Sequence, residues 1–214
     1  MKKNCTLLVA TILISFGFNN KAAAQVEEGS ILIDTYYGFP NFGKNLWSIL
    51  ENDSTQNTKA TGIGPLGFRF EYMIADNLGV GFDFNYLDNG FKYEETFTSY
   101  NSTTMTYETN TYEYQYKKTK MRFMARLHYH FVVTDVVDAY VGFGAGYKHK
   151  INKFESNDPN ASEETLESLF NGAIPVSARI CIGTRFFFTE NIGINLEMGV
   201  GGGPLLSAGV SFKF

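Results

Sequence analysis

The last forty residues limit most severely what this chain can fold into. From Ile174 to Phe214 they read as three strands: Ile174–Phe188, Ile192–Val200 and Leu205–Phe214. The turn Thr189-Glu190-Asn191 separates the first two, and a Gly-Gly-Gly-Pro corner separates the last two. In the middle run Ile192, Ile194, Leu196, Met198 and Val200 alternate with Gly193, Asn195, Glu197 and Gly199. In the last run Leu206, Ala208, Val210, Phe212 and Phe214 alternate with Ser207, Gly209, Ser211 and Lys213. Period two gives each strand one apolar and one polar face. Runs of about nine to eleven such residues match a tilted strand crossing the hydrocarbon of a bilayer.

The start of the chain is of another kind. Lys2 and Lys3 precede an apolar run from Leu7 to Phe18 and then Ala22-Ala23-Ala24. This reads as a secretory signal over residues 1–24, cut before Gln25, with Cys5 lost alongside it. Losing Lys2, Lys3 and Lys21 takes the net charge from −4 to −7, which speaks against nucleic acid as a partner. One cysteine, Cys181, is left for residues 25–214, so no intramolecular disulfide forms there. That stretch holds no apolar run long enough for a transmembrane helix. A membrane-spanning chain of this kind must close into a barrel, because hydrocarbon leaves no partner for an open sheet edge.

The same alternation recurs upstream. Strand one spans Ser30–Phe39, strand two Gly62–Ile74 and strand three Leu78–Tyr86, with a tight turn at Ala75-Asp76-Asn77. Asp88–Lys118, rich in Thr and Tyr, has high β propensity and reads as a hairpin extending past the membrane. Strand four carries Met121–Phe131 and strand five Ala139–Lys148, and an acidic loop, Ile151–Gly172, follows. The expectation is therefore an all-β, eight-stranded antiparallel up-and-down transmembrane barrel over residues 25–214. Short turns near Asp76, Asp135 and Glu190 and both termini lie on the periplasmic side.

Alternation alone does not say which face points outward. An eight-stranded interior is only just wide enough for side chains. The apolar face carries Phe68, Phe70, Phe82, Phe84, Phe123, Phe143 and Phe186, whereas the polar face carries Gly79, Gly81, Gly142, Gly144, Gly146, Gly183, Gly193 and Gly209. Glycine relieves crowding in a narrow lumen and only weakens a solvated strand face. The apolar face is therefore assigned to lipid. Tyr72, Tyr129, Phe131, Phe188 and Phe214 gather near one rim, and Phe39, Tyr86 and Tyr147 near the other, as aromatic belts do.

With these features together, the chain resembles the small outer-membrane β-barrels of the OmpA/OmpX-like, porin-family group, most visibly over Gly183–Phe214. The resemblance implies a bacterial outer-membrane location and contact with its lipid. It also implies insertion by the barrel-assembly machinery, which reads the terminal strand through Phe212 and Phe214. It does not imply one activity, since members differ mainly in their loops. No peptidoglycan-binding domain is expected after Phe214.

Among residues that carry chemistry, the lumen-facing charges stand out: Asp34, Arg69, Glu71, Asp83, Arg122, Arg126, Arg179, Arg185, Glu197 and Lys213. Asp34, Arg69, Asp83, Arg126 and Glu197 fall four or five residues above the periplasmic ends of their strands. Buried charges persist only when paired, so an internal ion-pair network that plugs the barrel is expected. The alternative is the charged constriction of a narrow channel for ions or small solutes. His128 and His130 read as polar lumen fillers. Some eight-stranded barrels modify lipids through His-x-Ser, but here His128-Tyr129-His130 offers no serine, so neither an enzyme nor a cofactor or metal is expected.

Gly62-Ile63-Gly64-Pro65-Leu66-Gly67 matches a dinucleotide fingerprint but leads into a strand rather than a helix. Asp158–Ser162 opens like a calcium loop but has Glu163 and Leu169 where Gly and Glu are needed. Cys181 reads as an inert lumen residue. Tyr93, Tyr100, Tyr107, Tyr112, Tyr114 and Tyr116 make the long hairpin a candidate for recognising an extracellular partner.

Overall fold

A computed structural model describes residues 26–45, 58–103, 105–159, 161 and 175–214. The expected signal segment lies outside these residues, as do Asn160 and Ser162 of the calcium-loop candidate. The described chain forms eight antiparallel strands closed into one barrel in sequence order. They are β1 (Ile31–Phe39), β2 (Lys59–Ala75), β3 (Leu78–Asn101), β4 (Thr106–Val133), β5 (Val137–Ser156), β6 (Val176–Phe187), β7 (Ile192–Gly201) and β8 (Leu206–Lys213).

The alternation that defines each strand also sets its facing. Along β7 the pattern is exposed at Ile192, Ile194, Leu196, Met198 and Val200 and buried at the residues between them. The same holds on β4, where Phe123, Leu127, Tyr129 and Phe131 are exposed while Met124, Arg126, His128 and His130 are buried. A surface with Phe143 52% and Ile180 63% exposed beside buried arginines inverts the order of a water-soluble fold. It suits hydrocarbon. No helix among the described residues is long and apolar enough to cross a membrane.

Hydrogen bonding closes the cylinder at β1 and β8, from Leu32 opposite Lys213 to Phe39 opposite Leu206. Phe214 extends the seam: its amide donates to the Ile31 carbonyl at 2.9 Å and its carbonyl accepts from Ile31 at 2.8 Å. The short connections are self-capped. Thr134 Oγ1 accepts from the Val137 amide at 2.9 Å, and Thr189 Oγ1 accepts from the Ile192 amide at 2.9 Å.

Three features depart from the expected strand limits, one of them β5, in which Ile151–Ser156 are strand where a loop was expected. β2 begins at Lys59, with a register irregularity between Ile63 and Leu66 in its pairing with β3. The glycine-rich stretch is thus a bulged strand, which rules out the dinucleotide fingerprint. β3 and β4 remain paired from Leu78–Tyr129 out to Asn101–Thr106. Above Tyr86 and Met121, where the outward apolar band ends, this hairpin projects roughly 50 Å at about 3.4 Å per residue. β5 accompanies it as far as Ser156, opposite Tyr114, making a three-stranded blade.

Candidate functional site: the barrel interior

The inward-facing residues form three layers. At the end of the short turns Val26, Leu32, Met73 and Phe187 make a buried apolar cluster, with Val133 packed against it. Leu32, Met73 and Phe187 occupy inward positions where the alternation leads one to expect polar groups. They act as a stopper.

Above it lies a continuous polar network. Arg185 is its hub. Its Nη2 lies 2.7 Å from Glu71 and 3.0 Å from Asp34, its Nη1 2.8 Å from Asp138, and its guanidinium sits 4.6 Å above the Tyr140 ring. Arg69 reaches Asp34 at 3.2 Å and Glu197 at 3.4 Å, and its guanidinium covers the Tyr36 ring at 4.3 Å. Its Nε lies 3.5 Å from Asp83, a charge contact without a hydrogen bond. Arg126 donates to Asp83 at 2.7 Å, Glu197 at 2.8 Å and Cys181 Sγ at 2.9 Å. Arg179 closes the top by donating to Glu197 at 3.0 Å and to the Pro204 carbonyl at 2.8 Å. Tyr36 donates to Asp83 and Tyr140 to Glu197.

The histidines sit low in the network. His130 presents Nδ1 to Asp138 at 2.5 Å and Nε2 to Glu71 at 2.9 Å. With a carboxylate at each nitrogen both must carry hydrogen, so the ring is an imidazolium. His128 Nε2 accepts from Arg126 Nε at 3.2 Å, which makes that ring neutral with its hydrogen on Nδ1. Nδ1 lies 2.8 Å from Glu71 but is poorly aligned for a hydrogen bond. Five carboxylates (Asp34, Glu71, Asp83, Asp138, Glu197) then face four guanidiniums (Arg69, Arg126, Arg179, Arg185) and one imidazolium. The charges cancel, as burial of this many ions demands.

Glycines make room for this. A methyl at Gly67 would run into the Tyr36 ring, and one at Gly183 into the Tyr140 ring. Each tyrosine lies flat over a neighbouring strand's glycine.

Two of the ten charged residues named from the sequence stand apart. Arg122 is not in the ion-pair network; it donates to Asn85 at 2.9 Å nearer the end that carries the long hairpin. Lys213 is at the short-turn end, 5.9 Å over the Phe187 ring. Participants not named as network members include Tyr36, His128, His130, Asp138, Tyr140 and Cys181. Asp138 and Tyr140 share the inward parity of Gly142 and Gly144, a signal present in the sequence.

The tyrosines of the hairpin divide. Tyr100 and Tyr107 are 55% and 76% exposed near its tip, whereas Tyr114 and Tyr116 are buried and face inward. Tyr114 stacks on Tyr93 at 4.9 Å and donates to Asp158 at 2.7 Å. Tyr114 and Tyr116 are therefore internal props rather than exposed anchors. Tyr93 and Tyr112 are half-buried.

Two groups have metal-compatible spacing, Glu71-His128-His130 and His128-Cys181-Glu197. Most of their ligand atoms are already committed. Glu71 binds His130 and Arg185, and Glu197 is contacted by three arginines. A cation there would face guanidiniums at close range, which opposes its binding.

No curated protein matches the sequence. Among solved structures the chain is similar to OprG of Pseudomonas aeruginosa at 14% identity, covering 89% of this chain and 98% of that one, with a TM-score of 0.46. It is similar to the N-terminal barrel of OprF from the same organism at 12% identity, covering 88% and 99%, with a TM-score of 0.42. Ail of Yersinia pestis gives 12% identity, 87% and 99% coverage and a TM-score of 0.39. At such distances no residue correspondence follows. The sequence itself matches a family profile, described as outer membrane protein beta-barrel domain, over residues 9–201. This chain belongs to that family of bacterial outer-membrane β-barrels.

Proposed function

We propose that the protein is a structural or surface-interaction barrel of the outer membrane with a sealed interior, rather than a diffusion channel. The observation that carries this reading is the unbroken stack of apolar stopper and neutral ion-pair network across the lumen. A channel entrant would have to displace Arg69, Arg126 and Arg185, which each hold two or more carboxylates. The outward apolar band takes lipid, the C-terminal strand with Phe212 and Phe214 serves the assembly machinery, and the projecting hairpin meets partners outside. A non-enzymatic role is supported by the histidines, which are bound into the network: His130 is held between Asp138 and Glu71, and the Cys181 thiol beside His128 already takes a hydrogen bond from Arg126.

Swelling of proteoliposomes in a small sugar tests the reading. A swelling rate equal to that of protein-free vesicles is expected. A rate that rises with the amount of folded protein would overturn it and favour the channel.

A further inference from the structure

Above the neutral network the inward face of β4 and β5 turns wholly cationic. Outward from Met124, the inward positions of β4 are Arg122, Lys120 and Lys118; those of β5 beyond Gly146 are Lys148 and Lys150. The register sets Arg122 opposite Lys148 and Lys120 opposite Lys150. Directly opposed side chains stand about 5 Å apart at Cβ, where like charges destabilise a sheet. On the other flank β3 offers Asn85, Leu87 and Asn89, none of them charged.

The nearest inward carboxylates on β3 are Asp83 below, held by Arg126 and Tyr36, and Glu95 well above. Acidic residues of the blade, Glu94, Glu113 and Glu155, take the outward parity instead. Lys117, also outward, pairs with Asp88 at 3.2 Å, while Lys120, Lys148 and Lys150 have no ion-pair partner among the described residues. Arg122 keeps a buried Nε unpartnered. Partial burial and then the surrounding cations lower the Lys120 ammonium to about 8, and the same causes lower Lys118.

A chain of net charge −4 that concentrates opposed cations at one place has built a positive vestibule above a closed floor. We propose that this vestibule, made by Arg122, Lys120, Lys148 and Lys150, binds a multivalent oxyanion of the phosphate or sulfate ester kind. Such a group carries enough charge to quiet several cations and enough acceptor oxygens to take their N–H donors together. The closed floor makes the site a dead end entered from outside. The inference gives the surface-interaction reading a ligand class and rests on that reading's outward-facing mouth.

The test is calorimetric titration of the folded full-length protein, in uncharged detergent at low salt, with pyrophosphate and with de-O-acylated lipopolysaccharide. Binding is expected, and K120Q/K150Q should weaken it by about tenfold or more, whereas K153Q on the outward face should leave it unchanged. The double variant relieves repulsion and should keep its heat-modifiable mobility. Tighter binding of the saccharide phosphate than of pyrophosphate, lost in the double variant, supports the site with the leaflet's own headgroups as source. Equal binding of the two, lost likewise, supports it with a free oxyanion as source. No binding, or binding equal in wild type and K120Q/K150Q, overturns the proposal. Failure here leaves the sealed interior standing, and a conducting lumen would equally leave a measured oxyanion affinity standing.

Discussion

At the scale of single residues the molecule is held by arginines, three of which (Arg69, Arg126 and Arg185) each serve more than one carboxylate. Arg185 shows the consequence most plainly, with Asp34, Glu71 and Asp138 all on one guanidinium. Arg185→Ala strands buried carboxylates and is expected to cost about 3–5 kcal/mol, read as a fall in the urea midpoint of the folded barrel. Arg126→Ala should behave alike, and an unchanged midpoint in both would remove the network from the account. Lys120 gives a pH prediction. Arg122, Lys118, Lys148 and Lys150 face it from β4 and β5, while β3 turns Asn85, Leu87 and Asn89 toward it. With its ammonium held at about 8, oxyanion affinity should be greatest below that pH and fall as pH rises through it. Titrations at pH 6.5 and pH 9.5 check the sign. The sequence showed that these charges face inward but not which of them meet. Arg185 on β6 reaches Asp34 on β1, across two intervening strands, because the strands tilt and their register is staggered. Counting residues up from each strand end ignores that stagger, so Arg185 looked displaced from a ring in which it is central.

At the scale of elements, the blade of β3, β4 and β5 is separable from the cylinder. Neither the β1–β8 seam nor the arginine network uses residues 93–116. Deleting Tyr93–Tyr116 should therefore leave heat-modifiable mobility intact while removing any surface binding that depends on the hairpin. Gly183→Val should do the reverse: the added methyls meet the Tyr140 ring and should cost about 1–3 kcal/mol by overpacking, seen as a lower melting point. The long hairpin was legible from its Thr and Tyr content. The facing of its tyrosines was legible too, since even positions from His130 up to Tyr114 keep one parity along an unbroken strand. Exposure was instead inferred from the polar surroundings, and for Tyr114 and Tyr116 the parity prevails. The apolar stopper was not legible. Leu32, Met73 and Phe187 sit on the polar face of their strands, and binary patterning has no term for a lumen that turns apolar at one end.

At the scale of the whole molecule, the barrel was legible because two physical limits coincide. A period-two pattern in a chain without a transmembrane helix leaves closure as the only way to satisfy the backbone in lipid. The narrowness of eight strands then assigns phenylalanine outside and glycine inside. Whether such a lumen conducts depends on side-chain geometry that the pattern does not encode. The account turns on the claim that stopper and network seal it. Single-channel conductance of the refolded protein in a planar bilayer tests that claim most directly, with Arg185→Ala as the variant expected to loosen the seal. Folded wild type should stay at baseline while the variant shows openings. Steady, resolvable openings from the wild type would contradict the sealed interior and make Arg122 and Arg126 the first residues to test for ion selectivity.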